Sequence, residues 1–168
     1  MFAKHEDGRE WMEQDEFYMK QALAEAQKAF DLGEIPIGAV LVDEQGKVIS
    51  SGHNMREIWQ DATAHAELIV IQDACKKLQR WRLSGTTLFV TIEPCPMCAG
   101  ALIMSRVDRV VYGKPDYKAG AAESLFNIVD NRALNHQLKV TAGVLEDDCA
   151  AIIKKFFARC RQKEKDNV

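Results

Sequence analysis

An α/β architecture of three layers, α/β/α with a mixed five-stranded sheet at the centre, is predicted by three features of the 168-residue chain. Segments with helical apolar spacing alternate with short apolar runs of strand length. Two such runs flank an Asp43-Glu44-Gln45-Gly46 turn and read as a hairpin. The later runs are separated by helical segments, so crossover connections place them parallel in one sheet.

Taken in order, Phe17, Ala22, Leu23, Ala26 and Phe30 recur near helical spacing over 15–32, and Gly33 suits the stop. Ile35-Pro36-Ile37-Gly38 opens the hairpin, with strands over 39–42 and 47–51. A polar loop over 52–62 delivers Asn54 and leads into a second helix over 64–78, with Thr63 as its expected N-cap and Glu67 near its first turn. Residues 87–91 form a buried strand that ends where Glu93-Pro94 starts a helix over 95–105, whose Ala99, Gly100 and Ala101 allow close packing. A strand over 109–112, a Gly-rich loop to Ala122, a short helix over 124–129, a last strand over 138–141 and a final helix over 147–163 complete the chain.

Length and composition fit one domain over 1–168, with residues 1–14 as a mobile N-terminal extension. With 47% hydrophobic and 28% charged residues, the chain reads as a soluble globular protein. No apolar run approaches the ~20 residues that span a bilayer, and the charged N-terminus lacks a signal-peptide core, so the expected location is cytoplasmic with no membrane partner. Five cysteines without framework spacing fit a reducing compartment and metal or thiol chemistry. Charge is uneven: residues 1–50 carry −6, residues 51–100 carry 0 and residues 101–168 carry +3. Six basic side chains against Glu164 alone lie between Lys154 and Lys165. Such a helix is either a solvated face or a local site for a phosphate backbone.

Pro94-Cys95-Pro96-Met97-Cys98 carries the sharpest chemistry. Two thiolates at i and i+3 share a helix face and suit zinc. Both this segment and Thr63-Ala64-His65-Ala66-Glu67 start a helix, where the dipole favours thiolates. His65 is therefore the expected third ligand. Two sulfurs and an imidazole leave one tetrahedral position open, as in a catalytic site. Cys75 lies roughly 15 Å along the helix from His65 and is expected in the core. His53 and His136 are not excluded as a fourth ligand, which would make the site structural, and a redox CxxC pair is a further alternative. An open site lowers the pKa of water towards ~7, and Glu67 is placed to take its proton and pass it on.

His65-Ala66-Glu67 together with Pro94-Cys95-Pro96-Met97-Cys98 resembles the signature of the zinc nucleoside and nucleobase deaminases. The closer resemblance, over about residues 17–161, is to bacterial tRNA-specific adenosine deaminases. It runs through Glu34-Ile35-Pro36-Ile37-Gly38-Ala39-Val40, Gly52-His53-Asn54, Trp81-Arg82-Leu83, Gly120-Ala121-Ala122, Leu134-Asn135-His136 and Phe156-Phe157. It implies a cytidine deaminase-like fold, a homodimer, one zinc ion per subunit, and conversion of adenosine to inosine at the wobble position of a tRNA anticodon loop. Carried over, His65, Cys95 and Cys98 bind zinc, and Glu67 is the catalytic proton shuttle. Asn54 holds the flipped-out nucleoside, and Asp116 and Lys118 contact the RNA near it. Phe156, Phe157 and Arg159 reach the anticodon stem-loop from the last helix. Pro96 also occurs in guanine and cytosine deaminases of the superfamily, so a deaminase of free bases or nucleosides is the alternative. A zinc-stabilised RNA-binding module without catalysis is a third reading.

Overall fold

The computed structural model describes residues 8–167, with side chains from residue 12 onward. Its elements are α1 (Gly8–Leu32), β1 (Gly38–Asp43), β2 (Val48–His53), α2 (Arg56–Trp59), α3 (Ala66–Leu78), β3 (Thr86–Ile92), α4 (Pro96–Met104), β4 (Arg109–Lys114), β5 (Lys139–Thr141) and α5 (Glu146–Asp166). One sheet of five strands runs β2-β1-β3-β4-β5. β1 is antiparallel to β2 and β3, whereas β3, β4 and β5 are parallel. The expected mixed three-layer α/β/α fold is thus what the chain forms.

Alternation along the strands builds the layers. Val40, Val42, Phe89 and Val111 face α1 and α5, packing against Tyr18, Met19, Ala22 and Cys149. Ala39, Leu41, Leu88, Val90, Val110 and Tyr112 face the other way, onto Val70 and Ala74 of α3 and Leu102 and Ile103 of α4. Successive side chains on a strand point to opposite faces, so apolar runs buried on both sides are what a central sheet requires.

Helix α1 ends in a Schellman motif. Gly33 adopts φ +82°, its N–H donates to Phe30 O at 3.1 Å, and Glu34 N–H donates to Ala29 O at 2.9 Å. The chain then passes under the helix at Gly38, where a Cβ would run into the Ala22 carbonyl and the Ala26 nitrogen. Gly38→Ala is expected to destabilise the protein by at least about 3 kcal/mol, read as a lower urea midpoint, because backbone cannot yield to the added methyl.

Four expectations change. Helix α1 begins at Gly8, so Gly8–Gln14 is helical, while residues 1–7 lie outside the described residues. The loop after β2 contains the single-turn α2. The N-cap of α3 is His65, not Thr63, whose hydroxyl donates to Asp61 Oδ1 at 2.7 Å. No helix forms over 124–129, where the chain makes turns instead. Among the described residues, no helix is long and apolar enough to cross a membrane.

Candidate metal centre and active site

One end of the sheet gathers every segment that bears chemistry. The C-terminal ends of β3 and β4 lead into α4 and the loop over 115–124, and β2 ends at His53 beside the start of β1. The N-terminus of α3 joins them through a bond from Met55 N–H to Ala64 O at 3.0 Å. Loops beyond the carboxyl ends of strands are where open α/β sheets place their sites.

Both N-cap positions here are unusual. His65 caps α3 and Cys95 caps α4, each with extended backbone and without a side-chain bond to its own helix. A Ser or Asp in those places would spend its side chain on the helix. Instead the two face each other, and Pro96 at the first position of α4 tolerates the missing N–H. His65 Nδ1 lies 3.6 Å from Cys95 Sγ and 3.6 Å from Cys98 Sγ. All three donor atoms fall within 4.8 Å of one another. Tetrahedral zinc, at ~2.0–2.1 Å from nitrogen and ~2.3 Å from sulfur, separates those ligand types by about 3.6 Å. Distances and donor set therefore fit zinc.

No fourth protein ligand joins them among the described residues. His53 Nδ1 is 2.7 Å from Glu25 Oε2, and His136 Nε2 is 2.7 Å from Val107 O. The Cys75 thiol donates to Trp81 O at 3.7 Å, and Cys149 is buried against Gly113. Among the described residues, neither His53 nor His136 closes the site.

Electrostatics agree with a cation between the sulfurs. The hydrogen bond from the Cys98 thiol, opposed by burial and helped by His65, brings Cys95 down to about 4. The same bond to the Cys95 thiolate, with burial and the Glu67 charge behind it, pushes Cys98 far up. The pair thus shares one proton, and a coordinated metal removes it because a ligating thiol is deprotonated outright. The bond with Cys95 also raises His65. Glu67 sits buried in the first turn of α3. Desolvation lifts it to about 7, the range in which a carboxylate both takes and returns protons.

Asn54 is buried at the rim, its Nδ2 donating to Glu34 Oε2 at 3.2 Å. Glu34, fully buried, also accepts from Ile58 N–H at 2.6 Å and so ties Asn54 to α2. Across the site, Asp116 is half-buried and Lys118 exposed. The Asp116 carboxylate accepts from the N–H groups of Lys118 and Ala119 at 3.0 and 3.3 Å, so it shapes its own turn.

Two residues of α5 expected at the RNA make contacts within the chain. Phe156 is buried, with its ring 6.0 Å from Phe30. Arg159 donates to Phe30 O at 2.7 Å and stacks 4.0 Å over the Phe30 ring, closing the end of α1. Both hold α5 in place, whereas Phe157 is exposed. Glu34 and Glu93 went unassigned among the site residues. Their signal is an acid one or two residues ahead of a proline and next to an apolar strand, where a carboxylate needs buried donors.

Residues 12–114 match the family described as the cytidine and deoxycytidylate deaminase zinc-binding region. A tRNA-specific adenosine deaminase of Bacillus subtilis (strain 168) is 52% identical over 154 residues, 92% of this chain and 95% of the relative. One from Haemophilus influenzae is 47% identical over 151 residues, 90% of this chain and 87% of the relative. Among solved structures, one from a study of A-to-I editing by tRNA:A34 deaminases at the wobble position of transfer RNA superposes with a TM-score of 0.78. It is 43% identical and covers 81% of this chain and 98% of its own.

Proposed function

The chain belongs to the zinc-binding cytidine and deoxycytidylate deaminase family, and from that membership we propose that it converts adenosine to inosine at the wobble position of a tRNA anticodon loop. What carries the reading is a 52% identity that spans 92% of the chain, well beyond the zinc-binding region at 12–114 and into α5.

His65, Cys95 and Cys98 hold the zinc, which supplies a Lewis acid that lowers the pKa of water towards ~7. Glu67 does the proton work. Its carboxylate takes one proton of the attacking water and delivers it to the ring nitrogen beside C6, then takes the second from the new hydroxyl on C6 as the C=O forms and passes it to the amino group, which leaves as ammonia. Its place in the first turn of α3, two residues from His65, and its burial hold that carboxylate beside the ligands. Asn54, fixed by Glu34, holds the nucleoside, and a splayed loop base reaches the site at low unstacking cost.

Lys118, Phe157 and the exposed basic side chains of α5 contact the RNA around the target, with Asp116 shaping the turn that presents Lys118. Replacing Lys154, Arg161, Lys163 and Lys165 together with alanine is expected to weaken tRNA binding. The slope of log K against log salt then flattens by up to about 3, since each phosphate neutralised on a single strand contributes ~0.7. An unchanged slope makes this a solvated face.

The assembly is a homodimer in this proposal. Met97 and Met104 on α4, together with Trp81, Leu125 and Phe126, leave large apolar surface exposed on the α3/α4 side. Light scattering that gives the mass of one chain contradicts it. A tRNA substrate places the protein in the cytoplasm.

A further inference from the structure

Resting on the tRNA-deaminase reading, we infer that Glu93 is a positioning residue that fixes the Asp116–Lys118 turn relative to the zinc ligands. Glu93 is the last residue before Pro94-Cys95 and is 1% exposed. A carboxylate so deep needs donors. It finds them in one loop. Glu93 Oε1 accepts from the N–H groups of Ala122, Glu123 and Ser124 at 3.1, 2.7 and 2.9 Å. Oε2 accepts from Asp116 N–H at 2.9 Å and from the Ser124 hydroxyl. Burial alone would raise its pKa, but these bonds outweigh it and hold the group below the usual carboxylate range.

Five donors from four residues of one loop thus converge on a side chain two positions from a metal ligand. A further bond joins the same two segments, from Ala121 N–H to Pro94 O at 2.8 Å. Gly120 makes the wrap possible, because a Cβ there would strike both Asp116 O and the Glu93 carboxylate. The loop has no regular secondary structure to hold it, and its other anchors, Ala121 N–H to Pro94 O and the Tyr112 hydroxyl to the Glu123 carboxylate, grip it at 121–123. At Asp116 the turn that presents Lys118 is tied to the zinc-ligand segment through Glu93.

Glu93→Gln tests this without changing size. Glutamine can keep the Oε1 set, but it then turns an NH2 toward the Asp116 N–H, donor against donor. Zinc content of the variant is expected to match that of the wild type. Amide exchange at Asp116 in the RNA-free protein rises by about tenfold, and KM for a tRNA with wobble adenosine rises by a similar factor with kcat little changed. Ser124→Ala removes one donor, keeps the carboxylate, and is expected to shift both readouts the same way by about two- to threefold.

Unchanged exchange at Asp116 in both variants overturns the inference. So does activity that falls only in proportion to lost zinc at constant KM, which is the behaviour of a purely structural residue. Failure of the wild type to act on tRNA would refute the substrate reading instead, and the exchange data would still decide what Glu93 does.

Discussion

Glu67→Ala is expected to lower kcat by about 10³- to 10⁴-fold, the contribution of a well-placed general acid and base. Zinc content is expected to stay at the wild-type value, because the ligands are His65, Cys95 and Cys98 and the removed carboxylate is not among them. Glu67 is buried and no salt bridge reaches it among the described residues, so a methyl group leaves no orphaned ion-pair partner. Stability should hold or rise, since desolvation penalises this carboxylate. Single-turnover inosine formation and metal analysis on the same preparation check both halves. Undiminished turnover would mean that the proton moves elsewhere, and an inert wild type with intact zinc would favour a binding module.

Cys95→Ser and Cys98→Ser should each weaken zinc binding by at least about a hundredfold, because a serine hydroxyl is a harder and far less acidic donor than a thiol. Turnover should be lost in step. Cys98 is fully buried at the third position of α4, while Cys95 is half-buried at its N-cap, so the two reach the metal from different depths. Metal analysis after dialysis measures the loss. Full occupancy in either variant would remove that sulfur from the ligand set.

How much of this was readable in advance depended on whether local spacing or long-range bonding decided the outcome. His65, Glu67, Cys95 and Cys98 were legible because each pair occupies one helix start, and Pro94 stands just ahead of the second in the sequence. The strands were legible because Thr86–Ile92 and its neighbours are apolar on both faces. The expected helix over 124–129 failed for a reason no window of sequence contains. The N–H groups of Leu125 and Phe126 both go to Gly120 O, and that of Ile128, which a helix would bond to Ser124 O, goes to Ala121 O at 2.9 Å. Those bonds stand in place of the i to i−4 ladder.

Thr63 looked like a cap by residue type, but Asp61 takes its hydroxyl and leaves the cap position to His65. Phe156 and Phe157 are neighbours with opposite fates, since helical rotation turns one onto Phe30 and the other outward. Arg159 follows Phe156 onto α1, across a sequence gap that no local pattern bridges. The early start of α1 reflects good helix formers, Glu10, Glu13 and Gln14, extending the helix beyond its apolar stripe.

The central claim is the substrate, since the zinc site serves bases and nucleosides as readily as RNA. The direct measurement gives the zinc-loaded protein a tRNA with adenosine at the wobble position, the same tRNA with guanosine there, and free guanine, cytosine and cytidine, and follows inosine and ammonia. Inosine is expected at that one position, with no ammonia from the guanosine-bearing tRNA or the free compounds. Ammonia from a free base, with the wobble adenosine untouched, would contradict it.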